Sequence, residues 1–139
     1  SGLGFGENAK ALLISRGLVE MIYVGKNLGG DVTAFLGLAG VGDLIATCSS
    51  PKSRNYTVGY RMAKGETLTA ILADMEEVAE GVNTLRISRA MANYLGYRAP
   101  LTETVYDVLY GDKTVQEGLD YLMKFPFYVD IDKAMFGAD

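Results

Sequence analysis

A chain of 139 residues, 49% of them hydrophobic and 22% charged, fits one globular domain able to bury roughly two-thirds of its unfolded surface. Its net charge of −4 argues against general nucleic-acid binding, while leaving room for a local basic site, and no apolar run is long enough to span a bilayer. The chain has no histidine and one cysteine, Cys48, so no metal is expected and proton chemistry falls to Asp, Glu, Lys or Tyr; without a basic-then-apolar leader, a reducing cytoplasm is the expected compartment.

The opening stretch SGLGFGENAKA carries glycines at 2, 4 and 6 and resembles a dinucleotide-binding turn only superficially. That turn must leave a buried strand, and none precedes it. The third glycine comes one residue early, and Glu7 would repel a pyrophosphate. Glu20 lies near the distance of a ribose-binding acid but inside a helical pattern. The stretch therefore reads as a flexible lead-in whose Glu7 complements a helix dipole.

From Glu7 to about Leu28 the apolar positions Ala11, Ile14, Leu18, Met21, Gly25 and Leu28 recur every three or four residues. They predict a long central helix of about 33 Å, widened by Leu12, Leu13, Ile22 and Val24 and stopped by Gly29-Gly30. A short apolar stretch, Thr33 to Leu38, precedes GLAGVGDLIATC, in which Asp43 opens a short helix. SSPKSRN reads as a loop, with helix resuming from Val58 to Ala63 until Gly65. Leu68, Ile71 and Leu72 mark another short helix. EEVAEGVNT leads into a helix whose Ile87, Met91, Tyr94 and Leu95 share a face, with Gly96 as a left-handed stop. Pro100 starts the next, carrying Leu101, Val105, Val108 and Leu109 to Gly111. Thr114 and Glu117 have capping-box spacing for a last helix with Val115, Leu119 and Leu122. Strand-like alternation is nearly absent, so the fold class is all-α, with six to eight helices.

Between Asp43 and Glu66 there is no carboxylate, yet Lys52, Arg54, Arg61 and Lys64 fall there. This is either an anion site, since a guanidinium fits phosphate oxygens bidentately and Asn55 can add an amide donor and acceptor, or a solvated basic helix face. Asp43 and Thr47, four apart, share a helix face within reach of one small ligand or a lysine ammonium. Alternatively Asp43 caps its helix and Thr47 bonds back to a helical carbonyl. Cys48 reads as a packed thiol.

GLGFGENAKALLISRGLVEM, FLGLAGVGDLIATCSSPKSRN and AEGVNT together resemble the C-terminal, substrate-binding domain of bacterial NAD(P)-dependent glycerol-3-phosphate dehydrogenases. The resemblance runs from about Gly2 to Met123 and fades in KFPFYVDIDKAMFGAD, leaving the role of 124–139 open. It implies a single helical domain over 1–139, similar to the C-terminal domain of 6-phosphogluconate dehydrogenase. In that family an N-terminal Rossmann domain holds NAD or NADP, and a catalytic lysine lies shortly before the position matching Ser1. Glycerol 3-phosphate and dihydroxyacetone phosphate are interconverted to supply phospholipid backbones, and the enzyme is expected to be a homodimer.

Carried over by motif, the resemblance makes Asp43 the acid that orients the catalytic lysine and Thr47 a substrate-site hydroxyl. It gives Ser53, Arg54 and Asn55 as phosphate and substrate contacts, and Arg54, Val78 and Glu80 as cofactor contacts. Asn8 and Lys10 fall in the NAK signature, where Asn8 opens the helix and Lys10 either assists the anion site or pairs with a helix carboxylate. The glycine stretch then becomes the junction after the lysine. A different class of function, a free-standing helical interaction or phosphate-binding module without catalysis, is the alternative.

Overall fold

The computed structural model describes residues 2–77 and 79–124. Among these the chain is helical without strands: α1 Glu7–Asn27, α2 Val32–Phe35, a π-helical turn Leu38–Gly42 running into α3 Asp43–Ser49, α4 Arg54–Ala63, α5 Leu68–Asp74, α6 Glu80–Leu95, α7 Pro100–Tyr110 and α8 Val115–Lys124. The all-α expectation and its long first helix hold. Val78, and all but Lys124 of the tail 124–139 expected to diverge, lie outside the described residues.

Local chemistry sets most boundaries. Gly96, at φ 71°, closes α6 in the left-handed region. Thr114 and Glu117 form the expected capping box: the Thr114 N–H and hydroxyl donate to Glu117 Oε2 at 2.8 Å each, and the Glu117 N–H donates to Thr114 Oγ1 at 3.2 Å. These bonds hold the Glu117 carboxyl below its ordinary range. Asp31 caps α2, accepting from the Thr33 N–H at 3.0 Å.

Three sequence readings need correction. First, α4 starts at Arg54, not Val58, because Ser53 caps it and its Oγ accepts from the Tyr56 N–H at 3.3 Å; Arg54 and Asn55 are therefore helical rather than part of a loop. Second, the lead-in is docked rather than flexible. Gly2 is buried on α4, where a Cβ would stand 2.5 Å from the Ala63 Cβ and 3.0 Å from the Tyr60 carbonyl oxygen. Third, α6 turns Ile87 and Tyr94 outward, 62% and 90% exposed, and buries Val82 and Ala92 instead. Small Ala92 packs with Tyr97 and Ala99 against Tyr23 and Val24 of α1, a close approach that the bulkier residues would block.

A second cluster, Val58, Ile71, Ala79 and Val82 with Met62, Leu68, Met75 and Leu109, joins α4, α5, α6 and α7. Arg61 clamps α4 to α5: its Nε donates to both Glu66 carboxylate oxygens at 2.9 and 3.0 Å, and Nη1 reaches Asp74 Oδ2 at 2.8 Å. The guanidinium in turn holds the Glu66 carboxyl below its ordinary value.

Glu20 ties the two ends of the chain together. Its carboxylate accepts from the Leu101 N–H at 2.6 Å, the Thr102 N–H at 2.8 Å and the Thr102 hydroxyl at 2.6 Å, so a side chain of α1 caps α7, whose own N-cap Ala99 cannot. Burial pushes the Glu20 carboxyl above its ordinary value of 4.5, against the opposing pull of these three bonds.

Truncation by Glu20→Ala strands buried donors and should cost about 1–3 kcal/mol in urea or thermal unfolding, whereas Glu20→Gln, which keeps an acceptor, should cost less. A raised folded-state pKa means the folded chain holds the proton more tightly than the unfolded chain. The stability this confers is full below the unfolded value of 4.5 and is lost as pH rises through the folded value. Wild-type Tm should therefore fall relative to Glu20→Gln as pH is raised from about 4 toward 7, and parallel Tm profiles for the two proteins would contradict this.

Candidate functional site

The helices bring the singled-out residues together mainly through their N-termini. Ser53 is the N-cap of α4, and Arg54 and Asn55 are its first two residues. Glu80 and Gly81 open α6. The two helix starts are joined directly, since the Gly81 N–H donates to Asn55 Oδ1 at 3.1 Å. SRN and AEG, far apart in sequence, thus meet at one place.

The bond also revises the expected use of Asn55. Its amide oxygen is engaged by protein backbone rather than reserved for a ligand, leaving Nδ2 as the donor face. Arg54, with its side chain 51% exposed, pairs through Nη2 with Glu77 Oε2 at 3.1 Å. Such an exposed pair is worth at most about 1 kcal/mol, little enough for a phosphate to displace.

Asp43 and Thr47 occupy one face of α3, both exposed. Asp43 follows the π-helical turn and is the first residue of α3, whose N-cap is Gly42; it is thus not the cap that the alternative reading required. Thr47, Ser53 and Asn55 line a common cavity of about 650 Å³ with Lys10 of α1. The rest of its wall is mostly apolar and includes Leu3, Ile14, Leu101 and Leu119. Lys10 thus shares this cavity with three of the singled-out residues, whereas Asp43, Arg54 and Glu80 do not line it, and Asn8 lies exposed in the first turn of α1. Cys48 lines the same cavity, half-buried, its thiol pushed up by burial, as a packed thiol should be.

The four cations of the carboxylate-free segment do not converge. Arg61 is engaged by Glu66 and Asp74, and Lys64 closes the far end of α4 with its Nζ 5.4 Å from the Tyr60 ring centre. At 1.5 Å per residue the ends of α4 stand about 15 Å apart. Only Lys52 and Arg54 remain at the N-terminal end, where the helix dipole and the first N–H groups also favour an anion. Sequence reasoning had no signal for this separation, because Glu66, Asp74 and Glu77 return to the segment only through folding.

Gly81 escaped the sequence reading as a residue that touches the site. Its position as the second residue of α6, beside Glu80, was the only available hint. Among the described residues, no group of three His, Cys, Asp or Glu side chains could hold a metal ion, and no helix is long and apolar enough to cross a membrane.

Comparison with known proteins places the chain in a class, the C-terminal parts of NAD-dependent dehydrogenases. Residues 1–120 match the family described as NAD-dependent glycerol-3-phosphate dehydrogenase C-terminus, and the chain belongs to that family. It is 51% identical over 122 residues to a glycerol-3-phosphate dehydrogenase [NAD(P)+] of Nostoc sp., covering 88% of this chain and 40% of that protein. It is 46% identical over 132 residues to the enzyme of the same name from Azotobacter vinelandii, covering 95% and 39%. The crystal structure of glycerol-3-phosphate dehydrogenase from Coxiella burnetii superposes with a TM-score of 0.85 at 33% identity, over 88% of this chain and 38% of that one. The chain thus spans about 40% of the length of these relatives.

The turn that delivers Asp43 depends on Gly40, which is buried. A Cβ there would overlap the Phe35 carbonyl oxygen and stand 2.5 Å from the Phe35 carbonyl carbon, which is main chain and cannot swing aside. Gly40→Ala should destabilise the protein by about 2 kcal/mol or more in thermal denaturation. Gly42→Ala, whose nearest contact would be an ordinary 3.5 Å to the Leu38 side chain, should fall well short of that.

Proposed function

We propose that this chain is the substrate-binding half of an NAD(P)-dependent glycerol-3-phosphate dehydrogenase, interconverting glycerol 3-phosphate and dihydroxyacetone phosphate together with an N-terminal Rossmann domain. The observation that carries this reading is the junction of the α4 and α6 N-termini through the 3.1 Å Gly81–Asn55 bond. It gathers an arginine, an amide donor face and two helix starts where a phosphate would be held, within a family whose relatives bear that enzyme's name.

Each residue then has a physical task. Arg54 exchanges its exposed partner Glu77 for substrate phosphate, and its planar guanidinium takes two oxygens at once. Asn55 Nδ2 donates to the same group, and Ser53 fixes the start of the helix that carries both. Thr47, one helical turn from Asp43, offers a hydroxyl to the carbon end of the substrate. Asp43 holds the ammonium of a lysine from the preceding domain, which exchanges a proton with the substrate oxygen. NAD or NADP supplies or accepts the hydride when bound. The exposed Glu80 carboxylate and the Arg54 guanidinium, one at each of the two joined helix starts, fit its polar groups, with Val78 assigned alongside them by family resemblance.

Leu38 and Tyr94, both 90% exposed, and Ile87 at 62% are large apolar side chains left facing water. They support a homodimer in which a second subunit and the Rossmann domain cover them, in the cytoplasm where phospholipid precursors are made.

The 139-residue chain alone should fold, self-associate in light scattering and show no hydride transfer in a cofactor-coupled assay; turnover by the pure chain would sink the division of labour. In the two-domain dehydrogenase, Arg54→Ala should lower kcat/KM for dihydroxyacetone phosphate by roughly 30- to 1,000-fold. Lys52→Ala and Lys64→Ala should lower it far less, and mainly at low ionic strength. An Arg54→Ala loss no larger than theirs, or one that vanishes in high salt, would mean the phosphate sits elsewhere.

A further inference from the structure

Asn55 is held by a group 26 residues away, the Gly81 N–H, at 3.1 Å from Oδ1. Only the oxygen of an amide can accept that bond, so Nδ2 and its two N–H donors are turned toward any other partner. The cap Ala79 brings no side-chain hydrogen bond to α6, and Asn55 supplies one of the acceptors the start of that helix lacks.

Gly81 also leaves the amide its space. A Cβ there would stand 2.6 Å from Asn55 Oδ1 and 2.7 Å from both Cγ and Nδ2, closer than van der Waals contact allows. The atoms that must yield are the far end of a side chain rather than main chain. A methyl group at 81 would therefore displace the Asn55 amide and leave the fold standing.

We propose that Gly81 is a positioning residue for Asn55: its N–H sets which way the amide faces, and its missing side chain lets the amide lie where Nδ2 can donate to the oxygens of a phosphate-bearing substrate. This rests on the reading of Asn55 as a substrate contact. It also presents the two Asn55 N–H donors to the ligand, suited to an anion's acceptor oxygens.

The test separates the two layers. In 15N-labelled 139-residue chain, Gly81→Ala should shift the Asn55 side-chain amide resonances, while Gly59→Ala, where a Cβ meets nothing within 4 Å, should leave them in place. In the two-domain dehydrogenase, Asn55→Ala and Gly81→Ala should each raise KM for dihydroxyacetone phosphate by roughly ten- to a hundredfold. Asn55→Ala with Gly81→Ala should be no worse than Asn55→Ala alone, because Gly81 acts only through the amide it positions. Unmoved Asn55 resonances in Gly81→Ala, a normal KM in that variant beside a raised one in Asn55→Ala, or a double variant that multiplies both losses would each overturn the positioning role. A normal KM in Asn55→Ala beside shifted resonances in Gly81→Ala would instead overturn the substrate contact, and with it the ligand part of the proposal.

Discussion

A half-buried carboxylate in the first helix holds the two halves of the chain in register. Glu20 accepts three hydrogen bonds from Leu101 and Thr102, 81 and 82 residues away. Removing a carboxylate from water is costly unless its lone pairs are answered, and the first turn of a helix is where unanswered donors are found. Each partner thus offsets part of the other's penalty, although at Glu20 burial still outweighs the three bonds. Since α7 also walls the cavity and packs on both α6 and α8, fixing its start against α1 fixes much of the C-terminal half. The Tyr23–Tyr97 edge contact, at 5.9 Å between ring centres, braces the same junction from its apolar side.

Much of this architecture was legible in the sequence, for local reasons. The long apolar period of α1, Gly96, Pro100 and the Thr114–Glu117 pair all act within a turn or two of their own position, and each produced the element its chemistry dictates. What failed depended on distant partners. Ile87 and Tyr94 carry the right period for a buried face, but Ala92 took the inward side because Tyr97 and Tyr23 needed a small neighbour. Glu20 read simply as a helical residue, since nothing near it in sequence announces that α7 lacks a cap. Ser53 was an avoidable miss: a serine before a helical run is a start signal, and it moves Arg54 and Asn55 from loop to helix.

The site divides in the same way. Spacing alone could put Asp43 and Thr47 on one face, and charge alone could mark the segment from Lys52 to Lys64, but neither could choose Arg54 from among four cations. Folding narrows that choice to Lys52 and Arg54 in two ways. Carboxylates from outside the segment occupy Arg61, and the length of α4 carries Lys64 away from Asn55. The family resemblance reached Arg54 without this geometry, and the geometry reaches the N-terminal end of α4 without the resemblance. The two lines rest on different grounds, sequence pattern in one case and charge neutralisation by tertiary contacts in the other.

Asp43, Thr47, Arg54, Asn55 and Glu80 are all exposed, and this bears on how such a half can work. A guanidinium in open water gains little from one anion, because solvent screens the pair and hydration of each ion competes with it. The same guanidinium becomes strong only when a covering surface excludes that water, as happens when two domains close on a ligand. On the proposed reading the helical half contributes placement: helix starts pinned by Ser53 and by the Gly81–Asn55 bond, on a scaffold locked by Glu20 and the Arg61 clamp. Dryness must come from the partner that lies over these residues. Placement without dryness gives weak binding and no chemistry, whereas dryness over poorly placed groups would strand them unpaired, so the two contributions have force only together.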